Sequence, residues 1–179
     1  MMLNRICKAP EQSFFLLGPR GTGKSTWLRA HFPNAYVIDL LSEETYQRLL
    51  ANPGHFASEL RSVPTGRWVI VDEVQRLPNL LNEVHRFIEE KRLYFVLCGS
   101  SARKLKRAGV NLLAGRALHR SMHPFVPEEL GVQFDLEEAL QFGLLPIVWD
   151  STNKVETLSA YARLYLKEEI QAEALVRNL

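Results

Sequence analysis

The sequence predicts a three-layer α/β domain in which a central parallel sheet lies between two layers of helices. Short apolar runs alternate with stretches of helical period along residues 13–100, an order typical of this fold class. The apolar runs also lack the polar alternation of a half-exposed strand, which indicates parallel strands covered on both faces. Right-handed crossover connections are expected between such strands.

The individual elements follow from the local pattern. The predicted strands cover residues 13–18, 35–40, 67–73 and 93–100. The predicted helices cover residues 23–32, 42–52, 57–63 and 79–91. Ser42, with Glu44 and Thr45 behind it, favours a helix start, and Asn-Pro-Gly at 52–54 favours the end of that helix.

The composition is that of an ordinary globular protein. A chain of 179 residues, 46% hydrophobic, can bury one core, or one domain plus the beginning of another. The net charge of +2 is too small to argue by itself for a nucleic-acid partner. No apolar run approaches the roughly 18 residues that cross a bilayer, and the N-terminus lacks a secretory signal. A cytoplasmic location away from the membrane is therefore expected, which leaves open a membrane-bound protein as a partner. Cys98 is expected to be a buried, reduced thiol.

A glycine-rich loop follows the first predicted strand and precedes the first predicted helix. This order and the spacing Gly-x-x-x-x-Gly-Lys-Ser are typical of a phosphate-binding P-loop. Glycine allows the backbone N–H groups to surround a phosphate, and the helix that follows points its positive end at the same anion. The predicted nucleotide-binding residues are Gly18, Pro19, Arg20, Gly21, Thr22, Gly23, Lys24, Ser25 and Thr26.

The polar side chains of this loop have separate expected roles. Lys24 would neutralise the β- and γ-phosphates, and the Ser25 hydroxyl would complete a Mg²⁺ shell. Thr26 would contact the α-phosphate or cap the helix. Arg20 would pack over the nucleotide or contact a neighbouring protein.

A second motif supplies acidic side chains. The run Trp-Val-Ile-Val at 68–71 carries Asp72 and Glu73 to the end of a buried strand. Asp72 is predicted to bind the metal through a coordinated water, and Glu73 to polarise the attacking water as a general base. The alternative for Glu73 is a solvent-facing acid at a helix start. The Lys24–Asp72 separation of 48 residues (72 − 24) leaves room for an inserted strand, which favours the ATPase branch of P-loop proteins.

The strand at 93–100 ends in Cys-Gly-Ser-Ser. Ser100, and after it Ser101, is the candidate for a polar contact with the γ-phosphate or the attacking water. The alternative is that these serines cap the helix predicted behind them, a reading that is strongest for Ser101.

Beyond Ser100 the charge pattern changes. No Asp or Glu occurs between Lys91 and Pro127. The basic residues of this stretch are Lys91, Arg92, Arg103, Lys104, Lys106, Arg107, Arg116 and Arg120. They could form a nucleic-acid patch, but a solvated face is the favoured interpretation. His85, His119 and His123 have no spacing that indicates metal ligation.

The chain resembles a prokaryotic family of AAA-type P-loop ATPases. The resemblance covers residues 10–131. It is carried by the segments GPRGTGKST, VIVDEVQ, CGSS and LAGR, and by the proline and glutamate of FVPEEL. It implies an AAA-type sheet, ATP and Mg²⁺ as ligands, and a chain divided into an ATPase core at 1–131 and a helical C-terminal region at 132–179. That region would be the start of a truncated lid or second domain.

The family also suggests roles for single residues. Arg116 of the LAGR segment could be an arginine finger or an intersubunit contact, which would imply self-association through the nucleotide site. The equal alternative is a surface arginine paired with a carboxylate. Gln75 could relay the γ-phosphate state to the next helix.

Three hypotheses for function follow. The first is a Mg²⁺-dependent ATP hydrolase whose turnover changes the conformation of the attached C-terminal region. The second is a nucleotide-binding switch with very slow hydrolysis, which could dispense with Glu73. The third, regulation of nucleic-acid processing, rests on the basic stretch and on family analogy.

Overall fold

Five parallel strands form one sheet in the part of the chain that the computed structural model describes, residues 4–100, 105, 113 and 115–165. The strands are β1 Phe14–Leu17, β2 Tyr36–Asp39, β3 Trp68–Asp72, β4 Tyr94–Gly99 and β5 Leu118–Ser121. Their order across the sheet is β2-β3-β4-β1-β5. β4 therefore lies between β1, which leads into the P-loop, and β3, which ends in Asp72. A strand inserted between the two motif strands is confirmed, but it is β4, which follows Asp72 in the sequence, whereas β2, the strand within residues 24–72, lies at the edge of the sheet.

Eight α-helices are described. They are α1 Lys24–His31, α2 Glu43–Ala51, α3 Gly54–Ser62, α4 Leu80–Lys91, α5 Pro127–Leu130, α6 Leu136–Phe142, α7 Pro146–Trp149 and α8 Lys154–Leu164. Short 3-10 helices cover Val74–Arg76 and Gly131–Gln133. The helix expected behind Ser100 lies outside the described residues, and so does the part of the predicted helical C-terminal region after residue 165. No described helix is long and apolar enough to cross a membrane.

Alternate residues of the strands pack into two separate hydrophobic clusters. Phe15, Leu17 and Val71 belong to one cluster, in which they pack with apolar side chains of α2, α3 and α4. Phe14 and Leu16 belong to the other, with Trp27 of α1. Because successive side chains of a strand point to opposite faces, the two clusters lie on the two faces of the sheet. The three-layer α/β fold class is confirmed.

The predicted end of α2 is also the beginning of α3. The Asn52 N–H donates to the Arg48 carbonyl at 3.2 Å and closes α2, and Ser42 caps its start by accepting from the Thr45 N–H. Pro53 then occupies the N-cap of α3, so this helix begins at Gly54 rather than at residue 57. Proline is tolerated there because the first N–H groups of a helix have no internal partner.

β5 is the strand that sequence pattern does not predict. Its residues Leu-His-Arg-Ser contain one apolar side chain, and most of the strand is exposed. It pairs with β1 alone, in the register Phe14 opposite Leu118 and Leu17 opposite Ser121. An edge strand pairs with a neighbour on one side only and is less fully covered than a central strand. It therefore needs no continuous apolar run.

The described residues group into two compact units. One consists of residues 7–19 and 24–122 and contains the sheet. The other consists, in its described part, of residues 4–6, 20–23 and 123–165, and its core contains Phe125, Leu130 and Trp149. Within it, Arg5 is paired with Glu129 at 3.0 Å and donates to the Thr22 carbonyl at 2.6 Å. The predicted division of the chain at residue 131 stays a prediction.

Candidate nucleotide-binding site

The loop between β1 and α1 uses backbone conformations that glycine alone adopts easily. Gly21 has φ 77° and Gly23 has φ 86°, both in the left-handed region. At Gly18 the requirement is space, because a Cβ there would collide with the main-chain carbonyl oxygen of Met122. Glycine at position 18 thus lets the loop lie against the residue that follows β5. A loop of glycines exposes the backbone N–H groups that a phosphate cradle requires.

Lys24 is the first residue of α1 and is 7% exposed. Its ammonium group donates to the carbonyl oxygens of Gly18 at 2.7 Å and of Pro19 at 2.8 Å. The cation is thus held against the loop that precedes its own helix. A phosphate bound in this loop would offer the same ammonium group charged oxygens, which are stronger partners than neutral carbonyls.

Ser25 and Asp72 are brought together from α1 and β3. The Ser25 hydroxyl donates to Asp72 Oδ2 at 3.0 Å. A hydroxyl and a carboxylate are hard oxygen ligands of the kind that Mg²⁺ prefers. No group of three or more His, Cys, Asp or Glu side chains that could hold a metal occurs within the described ranges. This donor set fits Mg²⁺, which usually completes its shell with water and substrate phosphates.

Glu73 follows Asp72 in an unusual backbone conformation. Its φ is 54° and its ψ is 43°, left-handed values that cost about 1–3 kcal/mol for a residue other than glycine. Glu73 is a buried residue, with 6% of its surface exposed. Its N–H donates to Asp72 Oδ1 at 3.0 Å. Glu73 does precede a 3-10 turn, but burial distinguishes it from a solvent-facing acid at a helix start.

Gln75 is a site residue to which sequence reasoning gave only a relay role. Its amide nitrogen donates to Glu73 Oε2 and to the Ser100 hydroxyl, the latter at 3.2 Å. It thereby joins the candidate base at the end of β3 to the candidate γ-phosphate contact after β4. The Gln of the DEVQ segment is the only signal in the sequence for this link.

Other predicted residues have contacts of their own. Arg116 is paired with Glu89 of α4, and this hydrogen bond lowers the pKa of the exposed Glu89 carboxyl. Thr26 is exposed, and the Arg20 carbonyl accepts from the Tyr161 hydroxyl at 3.1 Å. Ser101 lies outside the described residues.

Cys98 lies in β4 under the acidic end of the site. Burial raises the pKa of its thiol well above the ordinary value, and the charge of Asp72 raises it further. Neither cysteine of the chain forms a disulfide. The structure therefore places Cys98 as a buried thiol, as its apolar sequence context predicts.

Comparisons with known proteins identify the family and the fold. A family model described as an AAA domain matches residues 10–131, more than half of the chain. A solved structure, the Walker-type ATPase PABY2304 of Pyrococcus abyssi, matches with a TM-score of 0.52 and 19% sequence identity, over 90% of this chain and 69% of that one. At this identity the likeness is one of fold.

Two further solved structures are similar at lower scores. The ORC1 protein of Aeropyrum pernix in complex with DNA is 15% identical, with a TM-score of 0.43 and coverage of 90% of this chain and 56% of that chain. PCH-2 of C. elegans is 13% identical, with a TM-score of 0.42 and coverage of 89% and 56%. No curated protein sequence matches the chain. The chain therefore belongs to the AAA domain family of P-loop ATPases, as the family match shows and as the strand order of its sheet agrees.

Proposed function

We propose that the protein is a Mg²⁺-dependent ATP hydrolase whose turnover changes the conformation of its C-terminal region. The observation that carries this proposal is the buried Glu73 carboxylate directly behind the Ser25–Asp72 pair. A protein that only held nucleotide would have no use for a buried, strained acid at that position. The comparisons support an AAA-type ATPase-like domain, and the hydrolytic role of single residues is the proposal.

Binding would depend on the loop and on Lys24. The N–H groups of the glycine-rich backbone and the N-terminus of α1 favour an anion in the loop. The ammonium group of Lys24 would exchange the Gly18 and Pro19 carbonyls for phosphate oxygens. The loop motif 18–26 contains two basic side chains, Arg20 and Lys24. Of these two, Lys24 is buried and Arg20 is exposed.

The metal would be held by Ser25 and Asp72. The hydrogen bond between them supports this assignment, because it holds the two oxygens 3.0 Å apart, close enough to face one hydrated ion. When bound, Mg²⁺ neutralises phosphate charge and orients the β- and γ-phosphates. Ser25 would serve as a direct ligand through its hydroxyl, and Asp72 would accept from a metal-bound water.

Glu73 would act as the general base. Its carboxylate would accept a proton from the attacking water as the new P–O bond forms at the γ-phosphorus and the bond to the β-phosphate oxygen breaks. The products are ADP and inorganic phosphate, and the proton leaves Glu73 to solvent. Ser100 would contact the γ-phosphate or this water. Arg116 would reach transition-state charge only if it left Glu89, so its role as an arginine finger stays a prediction.

The test of the proposal is nucleotide binding and phosphate release by Lys24→Ala. Loss of the buried loop cation should remove measurable ATP affinity or turnover, because the phosphate charge would be left without its neutralising partner. A fluorescent ATP analogue reports binding, and a coupled phosphate assay in Mg²⁺ and in EDTA reports hydrolysis. Lys8→Ala, a change of an exposed lysine, is the matched control and should behave like the wild type. Unchanged affinity and unchanged hydrolysis in Lys24→Ala would overturn the P-loop assignment.

A further inference from the structure

Gln75 bridges two side chains that come from different strands. It lies in the 3-10 turn behind β3, and its amide nitrogen donates to the carboxylate of Glu73 and to the hydroxyl of Ser100. The orientation of the amide is fixed by chemistry, because a carboxylate only accepts and must therefore face the nitrogen. Both N–H groups of the amide are used in these two bonds.

The surroundings of Gln75 are built to admit its side chain. A Cβ at Gly99, the last residue of β4, would collide with the Gln75 amide oxygen. Glycine at this position leaves the space into which the amide fits. The amide is thus wedged between the ends of β3 and β4, where neighbouring parallel strands bring their carboxyl ends together.

The bridge is not explained as a stabilising contact. The Gln75 amide oxygen is buried and has no hydrogen-bond partner among the described residues. A buried carbonyl without a donor costs about 1–3 kcal/mol, which offsets the gain from the two donated bonds. Glu73 adds left-handed backbone strain at the same place. Unsatisfied polar atoms and strain that occur together point to a functional requirement.

We propose that Gln75 is a positioning residue that holds the Glu73 carboxylate and couples its orientation to Ser100. This inference rests on the proposed function, in which Glu73 is the base and Ser100 contacts the γ-phosphate. When the Ser100 hydroxyl turns to a third phosphate, one N–H of Gln75 loses its partner and the amide rearranges. The position of Glu73 then depends on whether the site holds a nucleoside triphosphate or a diphosphate.

The first arm of the test is kinetic. Gln75→Ala should lower kcat on the order of tenfold or more, the effect of losing a hydrogen bond to a charged group, while KM and the Kd of ATP stay close to the wild-type values. The thermal midpoint should not fall, because the orphan carbonyl disappears with the side chain. Gln47→Ala is the matched control, since Gln47 also donates to a glutamate, Glu43, at 2.7 Å on the exposed surface of α2.

A double-mutant cycle with Ser100→Ala tests the coupling itself. If Gln75 and Ser100 act as one unit, the double variant should be no slower than the slower single variant. Rate losses that multiply would mean that the two residues act independently, and this result would overturn the coupling.

The second arm does not depend on turnover or on any variant that could fail to fold. The side-chain amide resonance of Gln75 is followed in ¹⁵N-labelled wild-type protein as Mg²⁺ with ADP, or with a non-hydrolysable ATP analogue, is added. We expect a change with the triphosphate analogue that ADP does not produce. The same response to both nucleotides, or a response to neither, would contradict the inference.

The two arms separate this inference from the proposed function. A wild-type protein that releases no phosphate refutes the hydrolase, yet a Gln75 resonance that follows the third phosphate would still support the coupling. A wild-type protein that hydrolyses ATP while Gln75→Ala keeps its full kcat refutes the inference alone.

Discussion

At the scale of single residues, Ser25 is the simplest part of the candidate metal site to test. Its hydroxyl is the only functional group it brings to the Asp72 carboxylate, at 3.0 Å, and threonine carries the same group. Ser25→Thr should therefore keep the metal site, whereas Ser25→Ala removes the ligand and leaves Asp72 without this donor.

For Ser25→Ala we expect the Mg²⁺ concentration that supports half-maximal phosphate release to rise at least about tenfold, as is typical when the surroundings of a metal are disturbed. A Mg²⁺ titration of phosphate release measures this. Ser58→Ala is a matched control, since the Ser58 hydroxyl bonds only the Gly54 carbonyl at 3.1 Å in the helix α3. Equal Mg²⁺ requirements for Ser25→Ala and wild type would remove Ser25 from the metal site.

Left-handed residues distinguish two uses of strain. Glu73, with φ 54°, is buried beside the candidate metal ligands, whereas Arg92, with φ 51°, is exposed and ends α4. In α4 the conformation completes an ordinary helix end, because the Arg92 N–H donates to the Phe87 carbonyl. We therefore expect that the strain at Arg92 can be removed without loss of function, whereas the strain at Glu73 belongs to the proposed site.

At the scale of the element, Arg92→Gly should stabilise the protein. Glycine removes about 1–2 kcal/mol of left-handed strain from the folded state. It also gives the unfolded chain more conformational freedom, which lowers the free energy of unfolding by about 0.5–1 kcal/mol. A net gain of up to about 1.5 kcal/mol is expected in the free energy of unfolding, measured by urea denaturation.

The control for Arg92→Gly is Glu90→Gly, two residues earlier inside α4. Glycine there should destabilise by about 1 kcal/mol, because the backbone is helical and gains nothing from glycine. If both variants lose the same stability, the left-handed end of α4 carries no strain.

The sequence predicts the elements whose signals are local. Apolar runs predict β1 to β4, and glycine spacing predicts the loop before α1, because burial and phosphate binding each impose a residue type. β5 is missed because its residues Leu-His-Arg-Ser form no apolar run. β2, at the other edge of the sheet, is also mostly exposed, but its Tyr-Val-Ile run makes it recognisable. The start of α3 is missed because its proline cap reads equally well as a stop for α2.

The candidate site divides in the same way. Lys24, Ser25, Asp72 and Glu73 are identified by motif, whereas the bridge from Gln75 to Ser100 joins residues 25 positions apart. Such a bond depends on the strand order, which places β3 beside β4, and no local pattern encodes it. A carboxylate partner for Arg116 is one of the two alternatives that the sequence offers, but the identity of that partner, Glu89 of α4, depends on a tertiary contact that no local pattern encodes.

At the scale of the whole molecule, charge decides what the basic stretch can do. Three of its four described members are engaged within the chain: Lys91 donates to the Leu60 carbonyl at 3.0 Å, Arg116 pairs with Glu89, and Arg120 donates to the His119 carbonyl at 3.0 Å. Arg103, Lys104, Lys106 and Arg107 lie outside the described residues. With a net charge of +2, we favour a solvated face over a nucleic-acid patch.

Fluorescence anisotropy with a labelled DNA duplex at several salt concentrations tests this. We expect no salt-sensitive binding, and the variant with all four of these residues changed to alanine should behave like the parent. A nucleic-acid patch would instead give a slope of roughly −0.9 in log K against log salt for each phosphate contacted, and the variant would flatten it. ATP binding should be the same in both proteins.

The central claim is that the protein hydrolyses ATP with Glu73 as its base, and Glu73→Gln tests it most directly. ATP affinity and phosphate release are measured on the same preparation, with Glu44→Gln, a change of an exposed glutamate on α2, as the control. The account predicts that Glu73→Gln binds ATP as the wild type does and releases phosphate on the order of 10²-fold more slowly or worse. Phosphate release at the wild-type rate by Glu73→Gln would contradict it and leave Glu73 a structural acid.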